Sequence, residues 1–202
     1  MTGRRHVVPG KKALKQNPWH DLALHALYSR MLSVKQTEGW DGVYASHRAS
    51  GEASDCALYF GERQGIGHRR TQTSKPDLVC TKSSAVAVVG EVEQNCPPKK
   101  MLGDILATYA SSWAILREGG RRHEVEIRSK PLLVFVLRKD TLTKKGSVQV
   151  PQITGMLSEL SDKRTLIGPV EVWLAAGATG ELDAVPIFLS NTQENSILRG
   201  GL

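Results

Sequence analysis

Three acidic residues near the middle of the chain, Asp77, Glu91 and Glu93, are of the type and spacing to do chemistry together. An apolar run, Ala85-Val86-Ala87-Val88-Val89, leads through Gly90 into Glu91-Val92-Glu93. Side chains two apart on a strand share a face, about 6.6 Å from one another. Glu91 and Glu93 therefore point the same way and continue the parity of Ala85, Ala87 and Val89. Upstream, that face is expected to lie under a helix, so the two acids emerge where a buried strand opens into a cleft. Asp77 opens the preceding strand directly after Pro76, and Lys82-Ser83-Ser84 has the composition of a tight turn. A hairpin about that turn brings Asp77 opposite the stretch from Val88 to Glu91. Three carboxylates in one partly buried place repel, and at least one pKa rises unless a cation compensates. Such oxygen-rich sites select hard divalent ions, Mg²⁺ above all. Bound Mg²⁺ lowers the pKa of a water and stabilises charge on a phosphate.

The charge balance points to the substrate such a site would need. The chain of 202 residues carries 27 Lys+Arg against 20 Asp+Glu, a formal net charge of +7. The positive residues cluster as Arg4, Arg5, Lys11, Lys12 and Lys15; Arg69 and Arg70; Lys99 and Lys100; Arg117, Arg121 and Arg122; and Lys144 and Lys145. A broad basic surface holds a polyanion, most often nucleic acid. Metal-assisted phosphodiester hydrolysis needs both the acids and the basic surroundings.

The elements that must position these acids follow from periodicity. Residues 1–17 are basic and aperiodic, and read as a flexible arm. Asn17-Pro18 starts a helix, with Asn17 as N-cap and Pro18 in the first turn. Leu22, Ala23, Ala26, Leu27, Arg30, Met31 and Val34 carry it to about Gln36. Residues 39–75 offer one strand, Cys56 to Phe60. Strands over Asp77–Thr81 and Ala85–Glu93 follow, the second apolar on both parities and so covered on both faces. Pro97-Pro98 opens a long helix with a stripe of Met101, Leu102, Ile105, Leu106, Tyr109, Trp113 and Leu116, stopped by Gly119-Gly120. Leu132–Leu137 is a buried strand. Ile153, Met156, Leu157 and Leu160 mark a helix, and Val170–Ala175 and Val185–Leu189 are further strands. Residues 18–190 thus form one α/β domain, a single mixed sheet flanked by helices, and residues 191–202 a polar tail.

The stretch Pro76-Asp77 … Glu91-Val92-Glu93 resembles the PD-(D/E)xK nuclease superfamily, whose restriction-endonuclease-like core runs αβββαβ. The resemblance covers residues 18–137 as an order of elements and roughly 20 residues as a motif. It implies that Asp77, Glu91 and the backbone carbonyl of Val92 ligate Mg²⁺, with Mn²⁺ as a substitute, and that the third motif position assists the attacking water. That position is usually Lys; here it is Glu93. Glu93 accepts a proton from water or binds a second metal, or Lys99 or Lys100 at the start of the next helix supplies the missing cation. An upstream acid often completes such sites, and Glu38 and Glu52 rank ahead of Asp21 for it. DNA contacts are expected from Arg69, Arg70, Lys99 and Lys100. The implied function is a Mg²⁺-dependent DNA endonuclease of the type II restriction kind, a homodimer cutting double-stranded DNA. The alternatives are a non-catalytic DNA-binding protein on a degenerate nuclease fold and a structure-specific repair or junction nuclease.

Other chemistries fare worse. Gly65-Ile66-Gly67 lacks a preceding strand and a third glycine for a dinucleotide fingerprint. The six histidines show no zinc spacing, and no nucleophile elbow is present. Glu124-Val125-Glu126 repeats the acidic tripeptide without an apolar run before it, and reads as a solvated edge strand. Trp19, Trp40, Trp113 and Trp173 read as core or dimer-surface residues. Cys56, Cys80 and Cys96 lack CxxC spacing and read as reduced thiols; with no apolar leader or bilayer-length run, a cytoplasmic location is expected.

Overall fold

A computed structural model describes residues 18–46, 55–61, 71–95, 98–144, 149–162 and 168–189. The expected arm, the Asn17 cap, Glu52, Arg69, Arg70, Cys96, Lys145 and the tail lie outside them. The elements are α1 (Pro18–Glu38), β1 (Gly42–Ala45), β2 (Asp55–Tyr59), β3 (Gln72–Ser74), β4 (Leu78–Lys82), β5 (Ala85–Glu93), α2 (Pro98–Tyr109), β6 (Trp113–Glu118), β7 (Arg121–Glu126), β8 (Leu132–Arg138), α3 (Lys139–Lys144), α4 (Gln149–Asp162), β9 (Val170–Ala175) and β10 (Phe188–Leu189).

All ten of these strands belong to one mixed sheet flanked by helices, an α/β fold. Strand β5 is its pivot. It pairs antiparallel with β4 on one edge and parallel with β8 on the other, and β8 pairs parallel with β9. Beyond β4 lies β1, and beyond β9 lies β10. A second arm, β7-β6-β2-β3, leaves the pivot at the single pairing of Ala85 with Glu126.

Both faces of the pivot are covered, as its apolar composition requires. On one face α1 lays Trp19, Ala23, Leu24, Leu27, Met31 and Val34 against Leu78, Val88, Val92, Val134, Val136 and Trp173. Gly90 sets the closeness of this approach, since a Cβ there would stand 3.1 Å from Leu27 and 3.2 Å from Leu78. On the other face Met101 and Ile105 of α2 and Ile153 and Leu157 of α4 cover Val89, Leu133, Phe135 and Val172. Strands β8 and β9 alternate between the two cores. Trp19, Trp40, Trp113 and Trp173 are all buried, as core residues.

Four expectations need correction. The helix from Pro98 stops at Tyr109, and Trp113–Glu118 is strand β6. Trp113 and Leu116 fit a helical stripe by spacing alone, but both parities of Trp113-Ala114-Ile115-Leu116 are buried, each against a different cluster. Gly119-Gly120 is therefore a hairpin turn, with φ of 53° and 77°, rather than a helix stop. Next, the parity on β5 is broken. Thr81 pairs with Val86 and Cys80 with Val88, so Ala87 is bulged out between them. Glu91 and Glu93 thus share a face with Val89 but not with Ala87, which lies on the α1 side. Third, β7 is solvated and pairs along its length with β6 alone, as an edge strand does, but its last residue, Glu126, also meets Ala85 of β5. Fourth, the last strand is only Phe188–Leu189. Pro186 has no N–H to give, and pairing begins with the Ile187 N–H to the Val172 carbonyl, 2.8 Å. Strands β1 and β3 and helix α3 were not expected at all; each is six residues or fewer, too short for periodicity to register.

Candidate functional site

The β4–β5 hairpin sets the two leading acids together. Its loop is Ser83-Ser84, with φ of 50° and 58°, the doubly left-handed backbone of a type I′ turn whose twist matches the strands. The Ser84 N–H donates to Asp41 Oδ2 at 2.8 Å, tying the turn to the segment after α1. With Leu78 paired to Gly90, the next step of the same register places Asp77 across from Glu91. The Asp77 N–H donates to the Gly90 carbonyl, 3.1 Å. The Asp77 Oδ2 then accepts the Val92 N–H at 2.9 Å and lies 3.2 Å from Nε2 of His20 in the first turn of α1. Main-chain groups of one strand residue face the same edge, so the Val92 carbonyl is directed toward the Asp77 side of β5 as well.

Glu91 is buried, at 6% exposure. Burial pushes its carboxyl well above the usual range, the charges of Asp77 and Asp104 push it further, and Lys100 and a backbone hydrogen bond at Asp77 pull it back. In the first turn of α2, the Lys100 ammonium meets the Glu93 carboxylate, and it lies 3.5 Å from Asp104 Oδ2 on the next turn of the same helix. Asp104 is itself raised, first by burial, with Lys100 opposing and Asp77 adding. The cluster stands at the C-terminal ends of the parallel strands, under the first turns of α1 and α2. Open α/β sheets bind ligands at that edge.

Of the residues singled out by sequence, Asp77, Glu91, Glu93 and Lys100 come together here. Lys99 sits exposed in the same turn of α2. Glu38 does not belong. It closes α1, and 18 residues separate it from His20, about 27 Å along the helix. Two members were missed. His20 carries no local signal, because nothing in the sequence around it says that α1 crosses the end of β4. Asp104 was not considered, although its spacing of four from Lys100 is a readable signal.

The arrangement holds acids in excess over cations in a partly dehydrated place, with one lysine reaching in. Among the described residues no group of three or more His, Cys, Asp and Glu is disposed to hold a metal ion. The donor chemistry nonetheless suits Mg²⁺, which keeps most of its waters and takes only one or two carboxylates from a protein. Those donors would be Asp77 and Glu91, with the Val92 carbonyl. No family model, curated protein or solved structure matches the chain. No helix among the described residues is long and apolar enough to cross a membrane.

Proposed function

We propose that this protein is a Mg²⁺-dependent DNA endonuclease of the PD-(D/E)xK type, acting as a homodimer on double-stranded DNA. The observation that carries the reading is the reach of Lys100 to Glu93, beside Asp77 and Glu91. The motif lacks its lysine in the strand, and an ammonium arrives at the same carboxylates from the following helix. Asp77 and Glu91 would hold the ion. When bound, the ion supplies charge for the phosphate and a more acidic water. Lys100 brings a positive charge that assists the attacking water or steadies the phosphate. Glu93 holds that ammonium in place. His20 fixes the Asp77 carboxylate together with the Val92 N–H. Lys99, exposed beside Lys100, contacts the DNA backbone, and the net charge of +7 favours a polyanion.

Incubation with plasmid, single-stranded and branched DNA tests the reading. Cleavage of at least one with Mg²⁺ and none with chelator is expected, and no cleavage of any of the three refutes it. The second reading is a DNA-binding protein that has lost catalysis. What favours it is that Asp77 Oδ2 is already engaged by Val92 and His20 and that no three-residue metal group is formed among the described residues. Mg²⁺ titration by calorimetry separates the two, since only the enzyme needs the ion at Asp77 and Glu91.

A further inference from the structure

The Lys100–Asp104 pair has no local reason to exist. A lysine in the first turn of a helix faces the positive end of the helix dipole. Within a helix, an acid N-terminal to its base is the better order for a spacing of four; here Lys100 comes first and Asp104 follows. Asp104 is also partly buried, at 20% side-chain exposure. The charges facing it are Lys100, whose other partner is Glu93, and the acids Asp77 and Glu91 across the cleft. Three locally unfavourable choices converge on one ammonium.

Resting on the nuclease reading above, we propose that Asp104 is the positioning residue for Lys100: it anchors the ammonium to α2 and keeps it over the acid cluster when Glu93 is drawn toward ion or substrate. The two anchors differ in kind. Glu93 belongs to β5 and to the motif, so its carboxylate turns with the site. Asp104 rides on the same helix as Lys100, one turn along, and the contact between them does not depend on what the strand end is doing. Asp104 acts through the lysine.

The test is a double-mutant cycle on cleavage with saturating Mg²⁺. Asp104→Asn is nearly isosteric and should lower kcat by about 10²-fold, the scale on which small misplacements in a site register, with little change in KM. Asp104→Glu should recover part of that loss. In Lys100→Ala the same Asp104→Asn change should have almost no further effect, because the group it positions is gone. Circular dichroism and melting of Asp104→Asn guard against misfolding. Wild-type kcat in Asp104→Asn, or losses that simply multiply in the double variant, overturn the assignment while leaving the nuclease standing. A wild-type protein that cuts no DNA overturns the nuclease reading first, and the assignment with it.

Discussion

The tripeptide Glu-Val-Glu occurs twice in this chain, at the end of β5 and at the end of β7, each time on the second strand of a hairpin closed by two left-handed residues. The surroundings make them different chemical objects. In β7, Glu124 meets Arg122 at 2.9 Å and Glu126 meets Arg128 at 3.0 Å, pairs along one strand and its exit, while Val125 alone is buried. In β5, Val92 is buried under α1, Glu91 is buried with it, and Glu93 meets a lysine from another element. Ion pairs such as those of β7 are worth little to stability, at most about 1 kcal/mol each. In the cluster of β5, burial and the neighbouring acids push the Glu91 carboxyl up, and Lys100 offsets this only in part. A short acidic motif thus takes its electrostatics from what covers it, since burial disfavours the charged form of a carboxylate.

The comparison breaks most visibly in cleavage. Asp77→Ala or Glu91→Ala should abolish DNA hydrolysis while leaving DNA affinity intact, whereas Glu124→Ala and Glu126→Ala should cut at the wild-type rate. Rates and affinities on one DNA substrate decide it, and full activity in Asp77→Ala removes the site. Next in size, Lys100→Ala should slow cleavage by roughly 10²–10⁴-fold, the range of a group that assists proton transfer. Glu93→Gln should be milder, because Asp104 still holds the lysine. The reverse order in measured kcat would make Glu93 the working group instead.

A third contrast lies in stability against pH, measured on metal-free protein. The carboxyl of Glu91 is raised on folding, so between its unfolded and folded pKa the native state binds more protons than the unfolded one. Stability from this group is therefore complete below the unfolded value, near 4.3, and is lost as pH rises through the folded value. The slope is at most about 1.4 kcal/mol per pH unit. Glu91→Gln should flatten that decline and melt higher than wild type on its alkaline side, and added Mg²⁺ should shrink the difference. Melting curves from pH 4 to 9 would reveal it.

The smallest effect concerns the turns. Ser83 and Ser84 hold left-handed backbone that glycine adopts freely in the corresponding turn at Gly119-Gly120. Replacing Ser83-Ser84 by Asn-Gly should stabilise the protein by about 1 kcal/mol, and Gly119→Ala should destabilise it by a similar amount. Denaturant midpoints at constant slope check both.

The β4–β5 hairpin, the two-faced burial of β5 and β8 and the meeting of Asp77 with Glu91 were legible in the sequence. Each rests on residues close along the chain: an apolar run, a two-residue turn, the alternation of a strand. The same local logic failed where two periods fit one string. Trp113-Ala-Ile-Leu continues a helical stripe and also alternates as a strand, and only the pairing of β6 with β2 and β7 decides between them. It failed at Ala87 as well, where one bulged residue swaps every face upstream of it. The remaining members of the site were decided by tertiary structure alone. His20 reaches Asp77 from 57 residues away because α1 crosses the sheet at Gly90. Lys100 reaches Glu93 because α2 starts directly above the end of β5. Such contacts depend on where whole elements come to rest, which is set by the packing of two cores at once and is written in no single stretch of the chain.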